Sequence, residues 1–234
     1  RQLVDLGYIE APSENAETAI RRATVDKLSN LAEVHIAKRE YARAKELLTE
    51  LMALAPNRGR DRLRLANCHL HLDELDQCRA ILDEILGKQP DGPWANFLSG
   101  QVKLKQGDDA AALDHFKRAD AAGYSSRWLQ FRLGMAYLKT RDWDTAETAF
   151  DKALDLDPDF AQAYRGLAVV CYGRDQFEDS VRHALRSVSL LYHQPMAHYY
   201  LGLGLAATGR VNQAIEALGH ALSQAPKFQG ARRA

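Results

Sequence analysis

The chain has 234 residues, and its 31 basic and 31 acidic side chains cancel, so no charge surplus points to nucleic acid or an anionic membrane. No apolar run is long enough to span a bilayer, and a start at Arg1, with no Met and no signal-peptide core, is expected of a processed piece or an expressed fragment. Cys68, Cys78 and Cys171 make neither a disulfide framework nor a CxxC zinc pattern; they read as small buried hydrophobes, with a Cys68–Cys78 bridge left open.

The chain opens on RQLVDLGYIEAP (1–12), and Ser13 then stands where it would cap a helix running through ENAETAIRRAT into Val25. Residues 1–24 are therefore read as a linker or capping segment. From residue 25 a 34-residue period runs without insertion, in frames 25–58, 59–92, 93–126, 127–160, 161–194 and 195–228. Frame position 8 is always small: Ala32, Ala66, Gly100, Gly134, Ala168 and Gly202. So is position 20: Ala44, Cys78, Ala112, Ala146, Ser180 and Ala214. Position 24 is Leu48, Leu82, Phe116, Phe150, Ala184 and Leu218, and position 32 carries Pro56, Pro90, Pro158 and Pro226. Two antiparallel helices approach closely where both carry small side chains, so positions 8 and 20 are expected to face each other. Leu and Phe fill the space beside that contact, and proline, with no N–H to give, ends the second helix.

In the fourth frame, FRLGMAYLK (131–139) is predicted as a first helix, A, with a turn at Arg141 and Asp142. DTAETAFDKALDL (144–156) follows as a second helix, B, with Ala146, Ala149, Phe150, Ala153 and Leu154 at helical spacing. No strand pattern appears, and one helix pair cannot bury its apolar face alone, so neighbouring pairs must stack. At the end, PKFQGARRA (226–234) restarts the pattern of PDFAQAYRG (158–166), so 229–234 reads as the start of a truncated capping helix. A terminal repeat with an uncovered apolar face is expected to invite association with another copy.

The stretch LGMAYLKTRDWDTAETAFDKALDLDP (133–158) resembles a tetratricopeptide repeat at Leu133, Gly134, Tyr137, Ala146, Phe150, Ala153 and Pro158. That resemblance implies an all-α fold, a right-handed superhelical solenoid of helix-turn-helix repeats whose concave groove is lined mainly by helices A. The chain departs from the family pattern at position 4, where the family often has Trp and this chain has Leu28, Arg62, Asn96, Gln130, Tyr164 and His198. Its own Trp94 and Trp128 stand at position 2. Residues 1–12 are similar, at Leu3, Leu6, Gly7 and Tyr8, to the C-terminal end of sulfatase-like and phosphodiesterase-like catalytic domains of the alkaline phosphatase superfamily. On that second resemblance the chain would be the accessory, oligomerising region of a larger hydrolase whose metal-dependent domain lies upstream.

No catalytic constellation is present: the chain has no P-loop, no GxSxG and no HExxH. His69 and His71 point about 200° apart on a helix and cannot share a metal. His35 and His69 share position 11 of successive frames and read as hydrogen-bonded packing histidines. The acids of DKALDLDPD (151–159) lack the ligand spacing of a calcium loop and read as a solvated face. Neither metal nor cofactor is expected, and no catalysis in this chain.

Recognition remains. Positions 2, 5, 9 and 12 of helix A share one face, which the tetratricopeptide resemblance makes the groove. The residues singled out there are Asn67, Trp94, Phe97, Gln101, Trp128, Phe131, Met135, Tyr172 and Tyr199, with Arg132 and Arg165 beside them. An aromatic and apolar surface with arginines suits a protein or peptide with bulky apolar anchors. The aromatics equally suit packing on each other or on another segment of the chain, and both readings stay open. A clamp of the kind some family members use on chaperone tails would need Lys at position 5 and Asn at positions 9 and 6. Asn67 fits, but Leu63 and Leu98 occupy the other two. Arg132 is still placed to meet an acidic group.

Overall fold

A computed structural model describes residues 14–227. Within them twelve helices follow in order: α1 (Glu14–Ala37), α2 (Tyr41–Leu54), α3 (Gly59–His71), α4 (Leu75–Lys88), α5 (Pro93–Lys105) and α6 (Asp109–Ala121), then α7 (Arg127–Lys139), α8 (Trp143–Leu156), α9 (Ala161–Gly173), α10 (Phe177–Leu190), α11 (Pro195–Ala207) and α12 (Val211–Gln224). No strand occurs among the described residues. Odd-numbered helices occupy the helix-A half of a frame and even-numbered ones the helix-B half. The chain divides into two compact units, one ending at Asp108 and one beginning at Asp109. That division falls inside the third frame, so compact units and sequence frames do not coincide. The segments 1–12 and 229–234 lie outside the described residues.

Every helix A ends in the same way. Frame position 15 takes a left-handed backbone at Arg39, Asp73, Arg141 and Asp175 (φ 57 to 63°) and at Gly107 and Gly209 (φ 79°). The amide that follows reaches back five residues, as in Glu40 N–H to His35 O at 2.9 Å and Arg210 N–H to Leu205 O at 2.8 Å. This geometry satisfies carbonyls that the helix end leaves without partners. Only two of the six positions are glycine, although a left-handed conformation costs other residues about 1–2 kcal/mol.

In the first unit, the position-8, position-20 and position-24 side chains close on one another. Ala32, Ala44 and Leu48 share one buried cluster, and Ala66, Cys78 and Leu82 share the next. In the second unit the contact is tighter, and its main axis runs from position 8 to position 24. A Cβ on Gly134 would stand 2.6 Å from the Phe150 ring, and a Cβ on Gly202 would stand 2.6 Å from Leu218 but 3.2 Å from the backbone oxygen of Ala214. The expected facing of positions 8 and 20 is thus only part of the fit, because the longer position-24 side chain fills the gap first. Phe150, fully buried, also lies against Gly166 at position 6 of the next frame. One frame later the sizes are reversed, with Ala184 at position 24 and Tyr200 at position 6 packed in one cluster. The last helix, α12, leaves Val211 and Ile215 exposed.

Beside the apolar contact of Ala32 with Cys68, the first unit buries a charged network between α1 and α3. Asp61, 1% exposed, accepts hydrogen bonds from Ser29 Oγ at 2.8 Å, Arg58 Nε at 2.8 Å and Arg64 Nη1 at 3.0 Å. Burial pushes its carboxyl up, but the hydrogen bonds from Ser29, Arg64 and Arg58 outweigh burial and hold it below the ordinary 3.8. Arg64 is itself buried and reaches Glu33 Oε2 at 2.5 Å.

Two histidines of the second unit give stability a pH dependence. His198, 2% exposed, donates from Nε2 to the Tyr192 carbonyl at 2.9 Å. Burial pushes it below the ordinary 6.5, and burial does the same to His183 on α10. The native state therefore binds fewer protons than the unfolded chain. Stability is fully present above about pH 6.5 and declines as pH falls toward and through the depressed native values. The urea midpoint should fall between about pH 7.5 and pH 5.5, and His198→Gln should flatten that slope. A midpoint that rises on acidification contradicts the assignment.

Candidate interaction surface

The residues singled out from the sequence fall in both units. In the first, Asn67 on α3 and Gln101 on α5 are half-buried, and Phe97 is buried at 7% exposure. Trp94 is half-buried and packs against the cluster built from Ala66, Leu70, Leu82, Ala95 and Leu98. Its ring therefore does structural packing in that unit.

The second unit is different. Trp128, at the start of α7, is 39% exposed, yet its ring is braced. Phe160 meets it edge-on at 4.8 Å between centroids and Phe131 at 6.2 Å. Phe131 is buried at 4% exposure and touches Phe150 and Phe160 in turn. The expected aromatic surface is thus one exposed ring on a buried aromatic base, because Phe131 belongs to the core that Phe150 anchors. Phe160, at the last position of the fourth frame, is the partner that sequence reasoning passed over. Its signal was the aromatic after Pro158–Asp159, read only as a helix start. Met135, half-buried, packs on the same cluster.

Arg132 and Arg165 stand beside this aromatic cluster. They come from α7 and α9, both are half-buried, and the Arg165 guanidinium carbon lies 5.5 Å from the Phe131 ring centroid. Burial pushes Arg132 below the usual arginine value; burial, and then the neighbouring Arg132, do the same to Arg165. Tyr172 and Tyr199 belong elsewhere: Tyr172 meets Phe177 at 5.5 Å and Tyr200 at 5.8 Å, and Tyr199 meets Tyr200 at 5.2 Å.

The histidines are engaged locally. His35 Nδ1 sits 2.5 Å from Glu40 Oε2, and His69 Nδ1 sits 2.5 Å from Glu74 Oε2. The cysteines are free, buried thiols, and burial pushes Cys68 and Cys78 up to about 11. Among the described residues no group of three or more His, Cys, Asp or Glu could hold a metal ion, and no helix is long and apolar enough to cross a membrane.

Stacked antiparallel helix pairs with small residues at fixed positions and a recurrent left-handed turn define a helical-repeat protein. Two family models, each described as a tetratricopeptide repeat, match residues 35–100 and 131–189, together more than half of the chain. The chain belongs to the tetratricopeptide repeat family, whose members serve as protein-interaction scaffolds. It is 22% identical over 204 residues to a BBSome complex member BBS4 homolog of Drosophila melanogaster, covering 87% of this chain and 42% of that protein. The chain thus spans about two fifths of that relative's length. Among solved structures it is similar to YrrB, described as a TPR protein with an unusual peptide-binding site, at 19% identity and a TM-score of 0.64, over 80% of this chain and 96% of that one. It is also similar to PilF of Pseudomonas aeruginosa, at 13% identity and a TM-score of 0.76, over 91% and 97%. At these identities the likeness is one of fold.

Proposed function

We propose that the chain is a non-catalytic scaffold that takes a protein or peptide partner on the helix-A side of its second unit, with Trp128 as the anchor. The observation that carries this reading is a large ring left 39% exposed while two buried phenylalanines hold it in place. A rigid exposed aromatic loses little conformational freedom on binding, and Trp and Arg carry interface energy more often than other residues do. The peptide-binding site of YrrB, a protein of similar fold, supports a peptide as the class of ligand.

The test compares two aromatics in one helix. Peptides selected from a random library against the full chain provide the ligand, and fluorescence anisotropy provides the affinity. Trp128→Ala should weaken binding about 30-fold, the effect of losing a ~2 kcal/mol anchor, with little change in the unfolding midpoint. Phe131→Ala should lower that midpoint instead. Equal affinities for the parent chain and Trp128→Ala would remove Trp128 as the anchor.

A further inference from the structure

We infer that the partner presents a carboxylate to the paired guanidiniums of Arg132 and Arg165, beside an apolar side chain that rests on Trp128. The inference rests on the anchor reading above and names the chemistry of the ligand. Its first support is an imbalance between the two sets of helices in the second unit. In the second unit, α7, α9 and α11 contain no Asp or Glu, while α6, α8, α10 and α12 all do. The helix-A side therefore offers cations with no acids of its own. Two of those cations are already used: Arg127 pairs with Asp157 at 2.7 Å and Lys139 with Asp109 at 2.5 Å. Arg132 and Arg165 form neither an ion pair nor a hydrogen bond with any described residue.

Holding two like charges together, half out of water and without a counter-ion, is unfavourable for the free protein. A bound carboxylate relieves it, and guanidinium forks match a carboxylate in shape and charge. Arg165 rests over the Phe131 ring, a contact that uses none of its N–H groups in a hydrogen bond. Trp128 and Arg132 are four residues apart, one helical turn of ~5.4 Å. An extended peptide rises ~3.3 Å per residue, so the acid and the apolar residue should stand about two residues apart.

Selection of short random peptides against the full chain should return Asp or Glu within about two residues of a bulky apolar residue. In the best synthetic peptide, replacing the acid by its amide should weaken binding to the unaltered chain about tenfold or more. Arg132→Gln with Arg165→Gln should cause a similar loss, and the amide peptide should then lose nothing further, the mark of a direct pair. The unfolding midpoint of the arginine variant should not fall. Acid-free peptides that bind the chain and its arginine variant equally, with Trp128→Ala still weakening them, overturn this inference and leave the anchor reading standing. Peptides indifferent to Trp128→Ala overturn the anchor reading. A phosphoserine peptide binding more than about tenfold tighter than its glutamate counterpart overturns the choice of carboxylate.

Discussion

Phe150→Ala should cost about 3–5 kcal/mol of stability, the range for deleting a fully buried phenylalanine from a close-packed core. Phe150 is 0% exposed and lies between two glycines on successive helices A, Gly134 and Gly166. Neither glycine can supply side-chain atoms to fill the void, so relaxation recovers little. The complementary change is Gly166→Ala, whose added methyl meets the flat of the Phe150 ring rather than the end of a flexible chain. Overpacking there should cost about 1–3 kcal/mol. Combined with Phe150→Ala, the added methyl should become nearly harmless or helpful, because it enters the space the ring has left. Urea denaturation of the three variants by circular dichroism reads this non-additivity directly. Additive losses would mean that the ring and the glycine are not in contact.

Asp61→Ala should cost the first unit about 3 kcal/mol or more, the penalty for breaking a buried ion pair from one side. Three donors converge on that carboxylate, and Arg64 is itself buried. Removing the acid leaves the guanidinium with Ser29 and the outer Glu33. Replacing Asp61 and Arg64 together with Leu should restore much of the loss, since a well-packed apolar pair avoids desolvating charge. The same network predicts an acid limit. The native Asp61 pKa is depressed, so its contribution is present above the ordinary 3.8 and is lost as pH falls through the lowered value. An Asp61→Ala chain with an unchanged urea midpoint would show the network to be ornamental.

The fold was legible because close helix packing writes small residues at a fixed period, and positions 8 and 20 carry that mark in all six frames. The left-handed turn was not legible, because Arg39, Asp73, Arg141 and Asp175 stand where glycine would have announced it. At the candidate surface, helical spacing put Trp128, Phe131 and Met135 on one face, with Arg132 beside it. Spacing alone could not say that Phe131 sinks while Trp128 stays exposed. That difference depends on Phe160, which arrives from the next turn, and on how deeply each ring reaches toward Phe150. Nor could it separate Trp94, which lies on its own unit's core, from Trp128 in the equivalent frame position. The arginines were visible as residues, but their lack of acid partners appears only once the acids of the neighbouring helices have been placed.

The reversed sizes at positions 24 and 6 have a consequence for how the second unit is assembled. Phe150 is followed one frame on by Gly166, and Ala184 by Tyr200. α8 and α10 thus each carry a shape matched to the helix that follows. If residues 161–194 were excised as a whole period, backbone register would survive, but Tyr200 would be brought against Phe150, bulk on bulk. Succession across these two joins is therefore keyed like a lock, and a lineage that lost the repeat between them would have to recut both faces of the new join.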